Sequence, residues 1–433
     1  MFSLTFAFIC KKIPLLYFTV SLFRYYFRLN LSSFVVVKKD IKKIQESEDL
    51  KKNRSLYMSI VTKSTLVIVL AETRAAELTF DSFRTNVLET LQADLCLCIG
   101  VTDKYDKKNP FYQFAKYRFL FPEPADFGIA FDYAQKRILN ASLPESPQDH
   151  ERSDDEKVQE LRDQLAEKAD LTAPWRAFLR IPDQWLGGVR DTSYQHPGSA
   201  GILIFFRWFL LDQLQQHHLL DQYDRFVITR SDYMWRLPHP SLDRVLQPAE
   251  CIWIPDEEHY GGYTDRHVVL SRSNVIPYLD IFHEMIQNQT RMMSLMKTYN
   301  ETGSYNLESV IAMHLEAHGV RSLIRQFPYV MYAVRAVDGS TRWSQGRFDA
   351  TLGMFIKYDS EFNKSKAYHD IFEHGRRIRK TDLTNDKDTD SMLLDEFYRY
   401  FSKHPLLRTR HDANRPSPPL HRSGFSMKTM KFL

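Results

Sequence analysis

Arg230-Ser231-Asp232 closes a short apolar run, Phe226-Val227-Ile228, within the stretch Tyr223 to Trp235, and Pro238-His239-Pro240 follows. The run reads as a buried strand. In an open α/β sheet, ligands bind where strand C-termini open into a crevice. A carboxylate beside a guanidinium at such a point suits a metal-bound phosphate; the bland alternative is a structural ion pair. Two more polar clusters sit at apparent strand ends: Glu72-Thr73-Arg74 after Ser64 to Leu70, and Asp256 to His267 after Cys251 to Pro255. In the second, Gly261-Gly262 permits backbone conformations closed to other residues and close approach to a ligand. Asp265 follows that turn and could meet donor or acceptor hydroxyls, or be no more than a turn aspartate. Glu257 and Glu258 could supply a general base, or be merely solvated. Asn306-Leu307-Glu308 opens a helix, where an acid also favours the helix dipole without any catalytic task.

The elements that must place these groups follow from hydrophobic pattern. Ser64 to Leu70 is almost continuously apolar, as expected of a strand covered on both faces. Phe80, Phe83, Val87, Leu88 and Leu91 then recur at helical spacing, and Ala93 to Val101 reads as a second strand. This β-α-β order predicts a right-handed crossover and a parallel pair. Tyr105 to Asp132, with Pro110, Pro122 and Pro124, reads as an irregular connection. Ser199 is placed to cap a helix that is apolar nearly all round and leads through Tyr223-Asp224 into the Phe226 strand. Further buried elements are expected at Val268 to Leu270, a helix over Ile276 to Met296, a helix from Asn306, and a last strand at Tyr329 to Val334.

Composition sets the outer bounds. The 433 residues, 43% hydrophobic and 13% aromatic, can bury a large core, while a net charge of +4 gives no field that would call for nucleic acid. Cys10, Cys96, Cys98 and Cys251 have neither zinc spacing nor the density of a disulfide framework. Cys96 and Cys98 alternate along one strand and read as small core residues on one face. His239, His259, His267 and His314 stand singly. No dinucleotide or P-loop glycine motif and no serine-hydrolase elbow occurs in the chain.

Residues 1–57 are a hydrophobic and basic segment whose apolar runs, interrupted by Lys11-Lys12, fall short of the ~18 residues of a clean span. Snorkelling of those lysines would let it act as a signal-anchor and hold the protein at a membrane. Asn30, Asn53, Asn140, Asn288, Asn300 and Asn363 each begin an Asn-x-Ser/Thr triplet, which favours the secretory pathway, Golgi membrane or lumen. A start near Met58 would favour the cytoplasm instead. Residues 58–360 are expected to form the folded domain, with 144–170 a charged, exposed helical insertion. Residues 361–433 read as a polar, basic and partly disordered tail.

The order of these segments resembles GT-A-like glycosyltransferases, including WavE-type lipopolysaccharide-synthesis and capsular-polysaccharide enzymes. The resemblance spans roughly Thr65 to Arg335. It rests on Glu72-Thr73-Arg74, on the buried helix leading to Tyr223-Asp224, and on Arg230-Ser231-Asp232 in place of an Asp-x-Asp motif. Gly261-Gly262-Tyr263-Thr264-Asp265-Arg266 and Asn306-Leu307-Glu308 complete it. It implies an α/β, Rossmann-like, mostly parallel sheet flanked by helices in one main domain. It also implies transfer of a sugar from a nucleotide-sugar donor to a glycan or glycoconjugate acceptor, with Mn²⁺ or Mg²⁺ held by Asp232. Thr73, Arg74 and Arg230 would then meet the donor, and Asp265, Glu257 and Glu308 would serve the acceptor side. A scaffold protein that keeps the fold without the activity is the alternative. The motif departs from the family pattern in having one carboxylate and not two.

Overall fold

β1 (Thr65–Ala71) is buried along its whole length, and it pairs in parallel with β2 (Asp94–Val101) on one side and β4 (Arg225–Thr229) on the other. These belong to a computed structural model that describes residues 64–140, 152–165, 170–181, 185–190, 198–299, 305–336, 345–382 and 387–405. The expectations for 1–57 and for Arg415 to Pro419 lie outside the described residues. Among the described residues, no helix is long and apolar enough to cross a membrane.

The main sheet has seven strands. With β3 (Tyr117–Pro122), β6 (Ile252–Pro255), β7 (Val268–Ser271) and β8 (Ile324–Phe327), its order is β3-β2-β1-β4-β7-β6-β8. β7 alone is reversed: it runs antiparallel to both β4 and β6, while β6 and β8 are parallel. The expected mostly parallel α/β sheet flanked by helices is therefore present. Leu66, Ile68, Cys96, Cys98, Phe226 and Ile228 alternate onto one face and join the main core with the helix Ala200–Gln216. On the other face, Phe83 of the helix Ala76–Phe83 packs against Phe111 at 5.0–5.1 Å ring spacing together with Phe80. Arg207, inside the apolar helix, is buried, and its guanidinium donates to the Tyr278 hydroxyl at 3.0 Å and lies 4.4 Å over that ring. Ser199 stands at the N-cap of this helix, although its side chain makes no capping hydrogen bond.

The structure departs from the sequence expectations in four places. Tyr105 to Asp132 is not irregular: β3 lies within it, flanked by the helices Pro110–Phe114 and Phe127–Leu139. Its prolines mark the ends of elements, where a missing N–H costs nothing. Second, Tyr233–Trp235 (β5) continues past Asp232 into a smaller antiparallel sheet with β9 (Met331–Arg335), β10 (Arg347–Asp349) and β11 (Met354–Ile356), in the order β10-β11-β9-β5. Third, the helical region after β7 is broken into Arg272–Leu279, Ile281–Gln287 and Gln289–Tyr299.

The fourth departure concerns the tail. Asp359–Asp382 and Lys387–Lys403 are helices, and Tyr368, Phe372, Phe397, Tyr398 and Phe401 are buried along them. Their apolar residues recur at helical spacing but are outnumbered by charges, so composition hid an amphipathic pair. By contrast, the charged insertion does hold a largely exposed helix, Asp154–Leu165. It is tied to β3 by Arg118 Nε donating to Asp154 at 2.8 Å.

Candidate functional site

The C-terminal ends of β1, β4, β6 and β8 share one edge of the main sheet. Because β7 is reversed, the residues before it arrive at that same edge, and this brings Asp265 beside the ends of β1 and β4. A crevice there is lined, among others, by Glu72, Arg74, Arg230, Ser231, Asp232 and Asp265. Ser199, Ile202 and Leu203 of the buried helix supply part of its wall.

Hydroxyls lock the two strand ends together. Ser231 Oγ lies 3.0 and 3.1 Å from the carbonyls of Glu72 and Arg74, and Thr79 Oγ1 donates to the Ser231 carbonyl at 2.6 Å. Ala71 and Ala75, which bracket Glu72-Thr73-Arg74, take φ of 74° and 50°. Left-handed backbone at alanine costs roughly 1–2 kcal/mol per residue, so the surrounding contacts hold this loop in a shape it would not choose. Within the loop, Arg74 pairs with Glu72. Thr73 turns elsewhere: its hydroxyl meets the Tyr105 hydroxyl at 2.9 Å and accepts from Asn109 Nδ2 at 3.1 Å. It does not line the crevice.

Asp232 sits where the chain leaves the main sheet and enters the small one, and it is 1% exposed. Arg230 grips it with two hydrogen bonds, Nε to Oδ1 at 2.8 Å and Nη2 to Oδ2 at 2.7 Å. Arg335, at the end of β9, donates Nη1 to Oδ2 as well. Burial would raise the Asp232 carboxyl, but the charges of Arg230 and Arg335 outweigh it and hold the group well below the usual carboxylate range. Lys357 stands close by, and burial together with Arg230 and Arg266 depresses its ammonium to about 6.

This arrangement does not suit Mn²⁺ or Mg²⁺ at Asp232. Arginines occupy both oxygens, and no group of three or more His, Cys, Asp or Glu able to hold a metal occurs among the described residues. At 5 Å and an effective dielectric of 20, each positive charge would repel each unit of a cation's charge by about 3 kcal/mol. The ion-pair alternative is the one the geometry displays.

Glu257 is also not a crevice residue. Its carboxylate accepts from Lys364 Nζ at 2.5 Å, and both side chains are nearly inaccessible. Asp256 is held similarly, by the Tyr368 hydroxyl at 2.5 Å and the Tyr329 N–H at 2.8 Å. Glu258 pairs with Arg266 at 2.9 Å, and the same Arg266 nitrogen donates to Glu361 at 2.6 Å. The acidic run after β6 is thus buried scaffolding: Lys364 of the helix Asp359–Asp382 serves Asp256 and Glu257, and Arg266 of the same loop serves Glu258. Only the far end of the run, Asp265, reaches the crevice.

Glu308 does come close to Asp265. Gly262 makes this possible: a Cβ there would lie 1.9 Å from the Glu308 carbonyl oxygen. The turn packs bare backbone onto the start of the helix Leu307–Ala317, with Tyr263 N–H donating to the Glu308 carbonyl at 3.0 Å. Asn306 and Ser309 form a capping box, and Asn306 Nδ2 donates to the Tyr260 carbonyl at 2.8 Å. Burial, then the negative charge of Asp265, lift the Glu308 carboxyl to about 8.

The residues that sequence reading did not find are Arg335, Lys357 and Glu361. Arg335 and Glu361 lie about a hundred residues from their partners Asp232 and Arg266, and no local pattern marks any of the three. His239 and His267, read as singletons, touch through their Nε2 atoms at 3.3 Å beneath Trp235.

Comparison with protein-family models and with curated protein sequences returns no match. Among solved structures, mouse xyloside xylosyltransferase 1 in its apo form is similar at a TM-score of 0.30 and 7% identity, over 62% of this chain and 86% of that one. A likeness that low carries no argument about chemistry, so the reading of the crevice rests on its own residues.

Proposed function

We propose that the chain is a glycosyltransferase that moves a sugar from a nucleotide-sugar donor to a glycan or glycoconjugate acceptor, as in the WavE-type resemblance. The observation that carries this reading is the joining of Glu72, Arg74, Arg230, Asp232 and Asp265 around one crevice at the strand C-termini, the place where α/β sheets bind ligands. Arg74 and Arg230 would face the donor phosphates. Asp265 and Glu308, the latter kept protonated near neutral pH by burial and then by the negative charge of Asp265, would exchange a proton with the acceptor hydroxyl.

A second reading, a sugar-nucleotide-binding or scaffold protein without turnover, is favoured by one feature. The crevice encloses about 50 Å³, against roughly 300–1,000 Å³ for ordinary ligand pockets. A donor would have to widen it. Incubating the full chain with a panel of sugar nucleotides, with and without Mn²⁺, separates the readings. Donor-dependent thermal stabilisation with transfer or hydrolysis supports the enzyme. Stabilisation without turnover supports the scaffold, and no binding of any donor overturns both.

A further inference from the structure

Asp232 is surrounded by more basic groups than it can pair with. Arg230, Arg335 and Lys357 together face this one carboxylate. Arg335 is 2% exposed, and its Nη1 is used by Asp232 and by the Val334 carbonyl; among the described residues its Nε and Nη2 meet no acceptor. Lys357 is 7% exposed, and among the described residues its ammonium makes neither a hydrogen bond nor an ion pair. Its Nζ lies over the ring of Tyr358, 4.6 Å from the centroid.

Neither side chain is there by accident of a loose surface. Lys357 N–H donates to the Ala333 carbonyl at 3.0 Å, and Phe355 pairs with Arg335. Strand alternation therefore puts Arg335 and Lys357 on the same face of the small sheet. Buried donors without acceptors are expensive, and a buried amine without a counter-ion more so. The nearby acids do not relieve them. Glu361 is engaged by Arg266 and by the Ala333 N–H at 2.7 Å, while Glu258 is engaged by Arg266.

We propose that the open donors of Arg335 and Lys357, beside Arg230, form a binding site for a phosphate-type oxyanion, so that a diphosphate is held here by side-chain cations and needs no divalent metal. Asp232 is then the internal counter-ion that keeps the cations in place when the site is empty. The cluster lies at the Asp232 edge of the crevice, so the anion enters from the side where Arg230 and Asp232 line it. This deepens the proposed function and rests on it for the identity of the natural ligand, but the anion site itself rests on the unpartnered donors.

The test uses the full chain in excess EDTA. Inorganic pyrophosphate is titrated by calorimetry and by thermal shift against the wild type and Lys357→Met. The variant removes a buried amine that has no acceptor among the described residues, so without ligand it melts at the same temperature as the wild type or higher. Its pyrophosphate dissociation constant is expected to rise at least tenfold. Arg335→Lys, which keeps one charge near Asp232, is a second variant expected to weaken pyrophosphate in the same way. Wild-type binding in EDTA that both variants weaken supports the site, even if no sugar nucleotide binds and the transferase reading falls. No pyrophosphate binding in EDTA, alongside Mn²⁺-dependent binding of a sugar nucleotide, overturns the site and leaves the transferase reading standing. Equal pyrophosphate affinity in wild type and variants also overturns it.

Discussion

Gly262→Ala should cost far more stability than Gly261→Ala, although the two glycines are adjacent. At position 262 the new Cβ would lie 1.9, 2.1 and 2.4 Å from the Glu308 O, the Glu308 C and the Ser309 N. All three are backbone atoms at a helix start, so no side chain can swing away, and the turn must lift by about 1 Å or more to avoid overpacking. That movement breaks the Tyr263 to Glu308 and Asn306 to Tyr260 hydrogen bonds. Each is worth about 1 kcal/mol, and overpacking adds roughly 1–3 kcal/mol, giving an expected loss of about 3–5 kcal/mol. Gly261 has φ +87° and no atom within 4 Å of a built Cβ. Alanine there pays only for left-handed backbone, roughly 1–2 kcal/mol. Urea unfolding followed by tryptophan fluorescence would measure both. Equal losses, or a Gly262→Ala variant within about 0.5 kcal/mol of wild type, would refute the claim that the turn is seated directly on the helix and holds Asp265 near Glu308.

Two further expectations concern charge. Asp232→Asn leaves Arg230 and Arg335 facing an amide, and breaking a buried pair in this way should cost about 3–5 kcal/mol in the same unfolding assay. Unchanged stability with loss of Mn²⁺-dependent ligand binding would instead restore Asp232 as a metal ligand. Stability should also fall toward both ends of the pH range. Burial and Asp265 lift Glu308 from 4.5 to about 8, so its contribution is complete below pH 4.5 and is lost as the pH rises to 8. Burial lowers His239 from 6.5 to about 4, so its contribution is complete above pH 6.5 and is lost as the pH falls toward 4. Urea midpoints of Glu308→Gln across pH 4–9 should show the loss on the alkaline side flattened and the acid side unchanged. A parallel shift of the whole profile would contradict this.

What could be read from sequence was whatever a local pattern encodes. β1, β2 and β4 are apolar runs bounded by polar clusters, and their parallel order follows from the helix between the first two. Asp265 and Glu308 were legible as candidates because a Gly-Gly turn and an Asn N-cap mark their neighbourhoods. What failed was partnership across distance. Arg335 reaches Asp232 from 103 positions away, and Lys364 reaches Glu257 from 107. Nothing near Asp232 or Glu257 distinguishes an acid that will bind a ligand from one that will be tied up by a remote cation. The helices after residue 358 were missed for the opposite reason. Tyr368, Phe372, Phe397 and Phe401 keep helical spacing, but the charges around them lower the mean hydropathy to that of a solvated tail.

Those late helices also impose an order on how the molecule can be completed. The strands of the main sheet all lie before residue 328, so that sheet can assemble while the rest of the chain is still being synthesised. Two acids at its edge lack their partners at that stage. Glu257 would enter the interior without Lys364, and Asp256 without Lys364 and the Tyr368 hydroxyl. Until Asp359–Asp382 has emerged and docked, water must remain around these acids. This edge of the sheet is therefore completed last, and a chain stopped short of that helix would carry a formed sheet beside an unfinished, hydrated edge.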